Sequence, residues 1–283
     1  MTKESIIANI REEYLQDFSF AGSTETFVAS LDSLFDLIYE DAVERYYKSP
    51  PWDLPGVQLA ICCFLSWGEV RSVDVFTRQA VELGFDYPDL RLLLSKQIYE
   101  EMVHHQMFRR AAIKIGGVDP LTVPPPAGIM SMFDAYNDAL GTDDVLEKIF
   151  YGQFSSERAA IPSFKQIKES MAASRRGLPP EMKKAFERAE KDEPGHIAVG
   201  RWAAVKLAER GEKQRQRMLE LALDIIGITI NLWITETKNY PAIIKFASSL
   251  VKAKAKAKIV GLPEVDDSDW NFSVEDNSFK NEG

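Results

Sequence analysis

Apolar residues recur at intervals of three and four along nearly the whole chain, with no convincing run of alternating apolar and polar residues between them. That period lines one face of a helix, so a core can form only by packing helices against one another. The breaks mark where the helices end. An amphipathic segment covers Ser5 to Phe18, and a second helix is expected from about Thr24 to Tyr47, stopped by Ser49-Pro50-Pro51. The third runs from about Pro55 to Leu83 and ends at Gly84; the fourth begins near Pro88-Asp89, reaches Ile115 and ends at Gly116-Gly117. After the proline-rich connection VDPLTVPPPAG comes a short helix around Met130 to Leu140. A fifth long helix is expected from the Thr142-Asp143 cap to about Ser174, bent at Pro162. The sixth starts at Pro179-Pro180 and ends near Gly211, a seventh reaches about Lys238, and a further helical stretch follows Pro241.

Two helix pairs joined by one long crossover predict an all-α fold: a four-helix bundle over about 55–210, with additional N- and C-terminal helices. With 45% of 283 residues hydrophobic, residues 1–262 suffice for a single helical domain, followed by an acidic, loose tail at 263–283. The net charge of −9 gives no electrostatic case for nucleic acid or a membrane surface. The most apolar stretch, Leu221 to Ile234, contains Asp224 and is too short to span a bilayer. The opening MTKESIIANIREEYL has no apolar leader region, and the two cysteines are adjacent in a helical pattern, so a cytoplasmic protein is expected.

Only three histidines occur, and two of them follow a glutamate by three residues: Glu101-Met-Val-His104 and Glu193-Pro-Gly-His196. Residues three apart share a helix face, so each motif offers a carboxylate and an imidazole to the same ion. Glutamate is about one residue in fifteen of ordinary sequences, so two such placements among three histidines point to a selected pattern. A two-metal site in a bundle needs one more carboxylate from each remaining helix. Glu69, within CCFLSWGEVRSVDVF, and Glu157, within IFYGQFSSERAAIPSF, lie 32 and 36 residues before Glu101 and Glu193. Either distance suffices to finish a helix, turn, and return to the same level.

The order Glu69 … Glu101-x-x-His104 … Glu157 … Glu193-x-x-His196 resembles that of the ferritin-like di-iron carboxylate superfamily, over about Pro55 to Arg210. The resemblance implies a ferritin-like bundle in which Glu69, Glu101 and His104 serve one iron and Glu157, Glu193 and His196 the other, with Glu101 and Glu193 as bridges. It also implies that Glu100 and Asp192 hold the second nitrogens of the metal histidines. The implied cofactors are two iron ions, with manganese as an alternative at one position, and O2 as co-substrate. The implied activity is an oxygenase or oxidase that hydroxylates, desaturates or cleaves a mostly apolar small molecule, with an electron-donor protein as a further partner and a homodimer as the assembly. Ferritin-like iron handling, or a metal-free subunit of an oxygenase complex, is the alternative.

Phe150, Phe154, Ala160 and Ile161, around Glu157, are the candidate substrate-pocket residues; aromatic residues at this spacing otherwise read as core. His105 is turned about 100° from His104, which favours a surface, supporting or gating role over ligation. Pro194, inside the second motif, removes a helix bond at a cost of about 3 kcal/mol. Either the helix bulges or kinks there, or a new one begins near Asp192.

Overall fold

The computed structural model describes residues 2–47, 49–54, 56–125, 130, 133–134, 141–238, 245–246 and 249–250. Among them the fold is all-α. α1 (Lys3–Tyr14) and α2 (Thr24–Tyr46) are followed by α3 (Val57–Glu82) and α4 (Pro88–Gly116). A 3₁₀ turn, Pro120–Thr122, opens the crossover. The expected fifth helix is composite: α5 (Val145–Ile149), a π turn (Phe150–Ser156), a 3₁₀ turn (Glu157–Ala159) and α6 (Ala160–Ala172). α7 (Pro180–Ala208) and α8 (Glu212–Lys238) complete the order.

The ends follow local chemistry. Ser23 caps α2 by accepting from the Thr26 amide, and Asp144 caps α5 by accepting from Leu146. Gly117 closes α4 in the left-handed region at φ 67°, where a side chain would be strained. Most of the expected helix at 130–140, the lysine-alternating run at 252–258 and the tail at 263–283 lie outside the described residues. No helix among the described residues is long and apolar enough to cross a membrane.

α3 packs on α4, α4 on α7, and α7 on the π turn, while α5 closes the ring against α3. Two apolar clusters fill this arrangement. One holds Val75, Leu90, Leu94, Phe150, Phe154, Val199 and their neighbours. The other holds Leu59, Cys63, Phe108, Phe164, Ile167 and Ala185 among others. On α3, α4 and α7 the proposed ligands fall between the residues of these two clusters, and on the composite helix Glu157 lies near their boundary, next to Ala159 of the first and ahead of Phe164 of the second. The polar residues therefore form a layer at mid-height, walled above and below by hydrocarbon. α1 lies on α8, and α2 covers α7 and α8 from outside.

The irregular backbone lies in the fifth helix rather than in α7. α7 is unbroken through Pro194, with no new helix at Asp192. The fifth helix is the distorted one, and its irregular turns lie before Pro162, which is the third residue of α6, where a missing amide hydrogen is tolerated.

A buried carboxylate and imidazole cluster

Glu69 comes from α3, Glu101 and His104 from α4, Glu157 from the 3₁₀ turn, and Glu193 and His196 from α7. Glu101, His104, Glu193 and His196 are buried, Glu69 and Glu157 half-buried. Ligand atoms of Glu69, Glu101 and His104 lie within 4.8 Å of one another, and so do those of Glu101, Glu157 and His196. Glu101 belongs to both groups. Its Oε2 is 3.5 Å from His104 Nδ1 and its Oε1 is 3.2 Å from His196 Nδ1, so one carboxylate spans the two imidazoles. Glu193 Oε2 approaches the same His196 nitrogen at 3.3 Å.

These approaches are close without being hydrogen bonds. Glu101 Oε1, Glu193 Oε2 and the Nδ1 atoms of both histidines are buried without a hydrogen-bond partner among the described residues. Buried polar atoms are ordinarily paired, so four orphans converging on one spot suit a group that accepts lone pairs. The donor set fits two divalent ions: four carboxylates can neutralise them, and oxygen-rich ligation with two imidazoles suits iron or manganese.

The supporting residues make a crossed pattern. His104 Nε2 is 3.0 Å from Asp192 Oδ2 on α7, and His196 Nε2 is 3.4 Å from Glu100 Oε2 on α4. Each imidazole is thus faced by the acid that precedes the other helix's glutamate; Asp192 hydrogen-bonds His104, whereas Glu100 approaches His196 without a hydrogen bond. Each acid is met in turn by a base one turn earlier: Arg188 Nε donates to Asp192 at 2.6 Å, and Lys96 Nζ to Glu100 at 2.5 Å. The bases were not anticipated, although the nine-residue patterns Lys96-x3-Glu100-Glu101-x2-His104 and Arg188-x3-Asp192-Glu193-x2-His196 are both visible in the sequence.

Electrostatics of the metal-free chain follow from this crowding. Burial, reinforced by Glu101, pushes the Glu69 carboxyl well up; burial and Glu193 do the same to Glu157. Burial opposes ionisation of Glu101, but His196 and His104 outweigh it and hold the carboxyl at about 2. For His104, burial disfavours the charged ring, yet Asp192 and Glu101 raise it to about 10. His196 is raised well above the usual imidazole value, where Glu101 and Glu100 overcome burial. Protons therefore supply the positive charge that the carboxylates require.

The π turn shapes the wall beside Glu157. Ser155 Oγ donates to the Phe150 carbonyl five residues back, across the wide turn (3.2 Å). The swollen backbone presses on α7 at Gly200, where a Cβ would fall 2.0 Å from the Phe154 amide nitrogen. Arg158, buried beside Glu157, pairs with Asp32 and with Asp36 of α2 (2.5 Å to the latter) and lies 4.6 Å over the Phe154 ring. This anchor also went unread, though Asp32 interrupts an apolar helix face and invites a cationic partner.

The pocket residues separate. Phe150 and Phe154 stack at 5.1 Å within the core, and Ala160 is half-buried. Ile161 instead stands 40% exposed, because the wide and narrow turns before it rotate α6 away from the phase a regular helix would give. His105 is buried rather than at the surface; its Nδ1–H donates to the Ser66 carbonyl at 2.7 Å and ties α4 to α3.

Fold and site together define an all-α protein with a carboxylate and imidazole cluster at the centre of four helical runs. No family model matches the chain, and no curated protein matches it. Two crystal structures of a CadD-like protein of unknown function from Nostoc punctiforme are similar to it. One is 12% identical with a TM-score of 0.54 and covers 87% of this chain and 98% of its own; the other is 13% identical with a TM-score of 0.53, covering 91% and 99%. At such identity the likeness is one of fold.

Proposed function

We propose that this chain is a ferritin-like di-metal carboxylate protein, an O2-dependent oxygenase or oxidase acting on a mostly apolar small molecule. The observation that carries this reading is the set of orphaned, buried nitrogen and oxygen atoms converging from four helical runs. Glu69 and His104 would hold one iron, Glu157, Glu193 and His196 the other, and Glu101 would bridge them. When bound, the metal pair supplies the electrons for O2 reduction.

The rest is done by the chain itself. Asp192 fixes the ring of His104 by a hydrogen bond to Nε2 and Glu100 faces Nε2 of His196, while Nδ1 of each ring approaches the cluster. The two apolar clusters exclude bulk water on both sides of the polar layer, which strengthens every charge interaction inside it. A substrate oxidised here would enter a predominantly hydrocarbon environment.

The test is the iron content of full-length protein expressed with iron, compared with the double variant Glu101→Ala/Glu193→Ala. About two irons per wild-type chain, lost in the variant, are expected, with O2 consumption by the reduced protein when a substrate is present. Absence of metal from both proteins would make the glutamates structural and refute the reading. Rapid iron oxidation without an organic product would assign the chain to iron handling instead.

A further inference from the structure

Three glutamines are buried at one end of the polar layer, among the apolar residues of the Phe150 cluster: Gln79, Gln97 and Gln153. Gln97 precedes Glu101 by four residues and Gln153 precedes Glu157 by four, so each stands about one turn from a proposed ligand. Both lie toward the same end, because α4 and the composite helix each enter the polar layer from this cluster. In helical phase Gln97 falls between Glu101 and His104, on the face that points to the cluster.

The orientation of the Gln153 amide is dictated by its neighbours. Gln79 Nε2 donates to the Lys148 carbonyl at 3.2 Å, a group that can only accept. Gln79 therefore turns its oxygen to Gln153, whose Nε2 donates to it at 2.7 Å. Gln153 Oε1 is left buried and without a partner among the described residues, and so are both amide atoms of Gln97. Buried amide atoms are nearly always paired, so three unpaired ones on two side chains, each about a turn from a proposed ligand, point to a recognition site.

We infer that Gln97 and Gln153 form the polar end of a small-molecule site beside the proposed metal pair, and that its occupant is a neutral molecule with an apolar body and an O–H or amide N–H donor. The donor is required by Gln153 Oε1, which can only accept. Gln97, with both its NH2 group and its oxygen unpaired, can donate to and accept from the occupant's polar group. This inference rests on the di-metal reading and deepens it by naming the substrate class; a carboxylate, which offers acceptors alone, is disfavoured.

Four matched probes test it on the cobalt-loaded full chain: hexan-1-ol against methyl pentyl ether, and hexanamide against hexanoate. Binding is read by calorimetry, and the cobalt absorption spectrum reports whether the probe sits near the metal. The alcohol and the amide are expected to bind at least about tenfold more tightly than their partners, the discrimination that one well-placed buried hydrogen bond gives. Gln153→Met should abolish the preference and Gln97→Met should weaken it, both variants retaining the wild-type cobalt content and thermal midpoint to within a few degrees. Should either variant fail to fold, the wild-type comparison and the other variant still decide. Equal binding within a probe pair, no probe binding at all, or a preference surviving in Gln153→Met would overturn the inference. A wild-type chain that takes up no cobalt would refute the metal reading instead, and the same probe pairs on the metal-free protein would then judge the amide site by itself.

Discussion

Replacing Asp192 with asparagine keeps the volume of the side chain and removes its charge. One buried oxygen, Asp192 Oδ2, lies 3.0 Å from His104 Nε2 and 2.6 Å from Arg188 Nε, so both charge-assisted bonds are weakened together. Supporting residues of this kind carry about 10–100-fold in metal affinity, or roughly 1.4–2.7 kcal/mol. The upper half of that range is expected for Asp192→Asn, because His104 turns freely once its anchor is neutral. Glu100 is the internal control. It stands 3.4 Å from His196 Nε2, outside hydrogen-bond geometry, and Lys96 already engages it at 2.5 Å. Glu100→Gln is therefore expected to cost less than about tenfold. Anaerobic cobalt(II) titration followed by absorbance separates the two: Asp192→Asn should weaken one of two binding steps and spare the other. Equal losses in the two variants, or a change within about twofold in Asp192→Asn, would refute the idea that the Asp192–His104 hydrogen bond is what positions the imidazole.

Three further outcomes are expected. Gly200→Ala should destabilise by about 1–3 kcal/mol in urea unfolding, since its Cβ would meet the Phe154 backbone at 2.0 Å, whereas Gly195→Ala, with nothing within 4 Å, should stabilise by about 0.5–1 kcal/mol. Metal uptake should release protons, because His104 at about 10 and the raised His196 are protonated in the metal-free chain; affinity then rises with pH, and the calorimetric heat depends on the ionisation enthalpy of the buffer. A buffer-independent heat would contradict that account. The paired Arg109 holds Asp119 below the usual carboxylate value through bonds of 2.7 and 2.5 Å. A depressed acid stabilises above its unfolded pKa, and the contribution is lost as pH falls through the folded value, so Asp119→Asn should flatten the acid side of a stability-against-pH curve.

Much of this was written in the chain. The three- and four-residue apolar period, the glycine and proline stops and the two Glu-x-x-His motifs fixed the helical class and nominated the six residues that meet at mid-bundle. Each of these is a local property: periodicity selects a face, and spacing of three puts two side chains on it. Glu100 and Asp192 were named only through the family resemblance, as the acids that precede the motif glutamates.

Tertiary structure decided what depends on a second element. The family resemblance implied Glu101 and Glu193 as bridges, and the relative placement of α4 and α7 gives Glu101 one oxygen toward each imidazole. No new helix begins at Asp192, since α7 runs on through Pro194, and the irregular turns lie instead in the fifth helix, at Glu157–Ala159 and in the π turn at Phe150–Ser156. That turn is tolerated because Gly200, some 45 residues away in sequence, leaves room for its backbone. The exposure of Ile161, the anchoring of Arg158 by α2 and the orphaned amides of Gln97 and Gln153 have the same origin. Burial and pairing are properties of what packs opposite a residue, and a single strand of sequence specifies its own period far better than its partner.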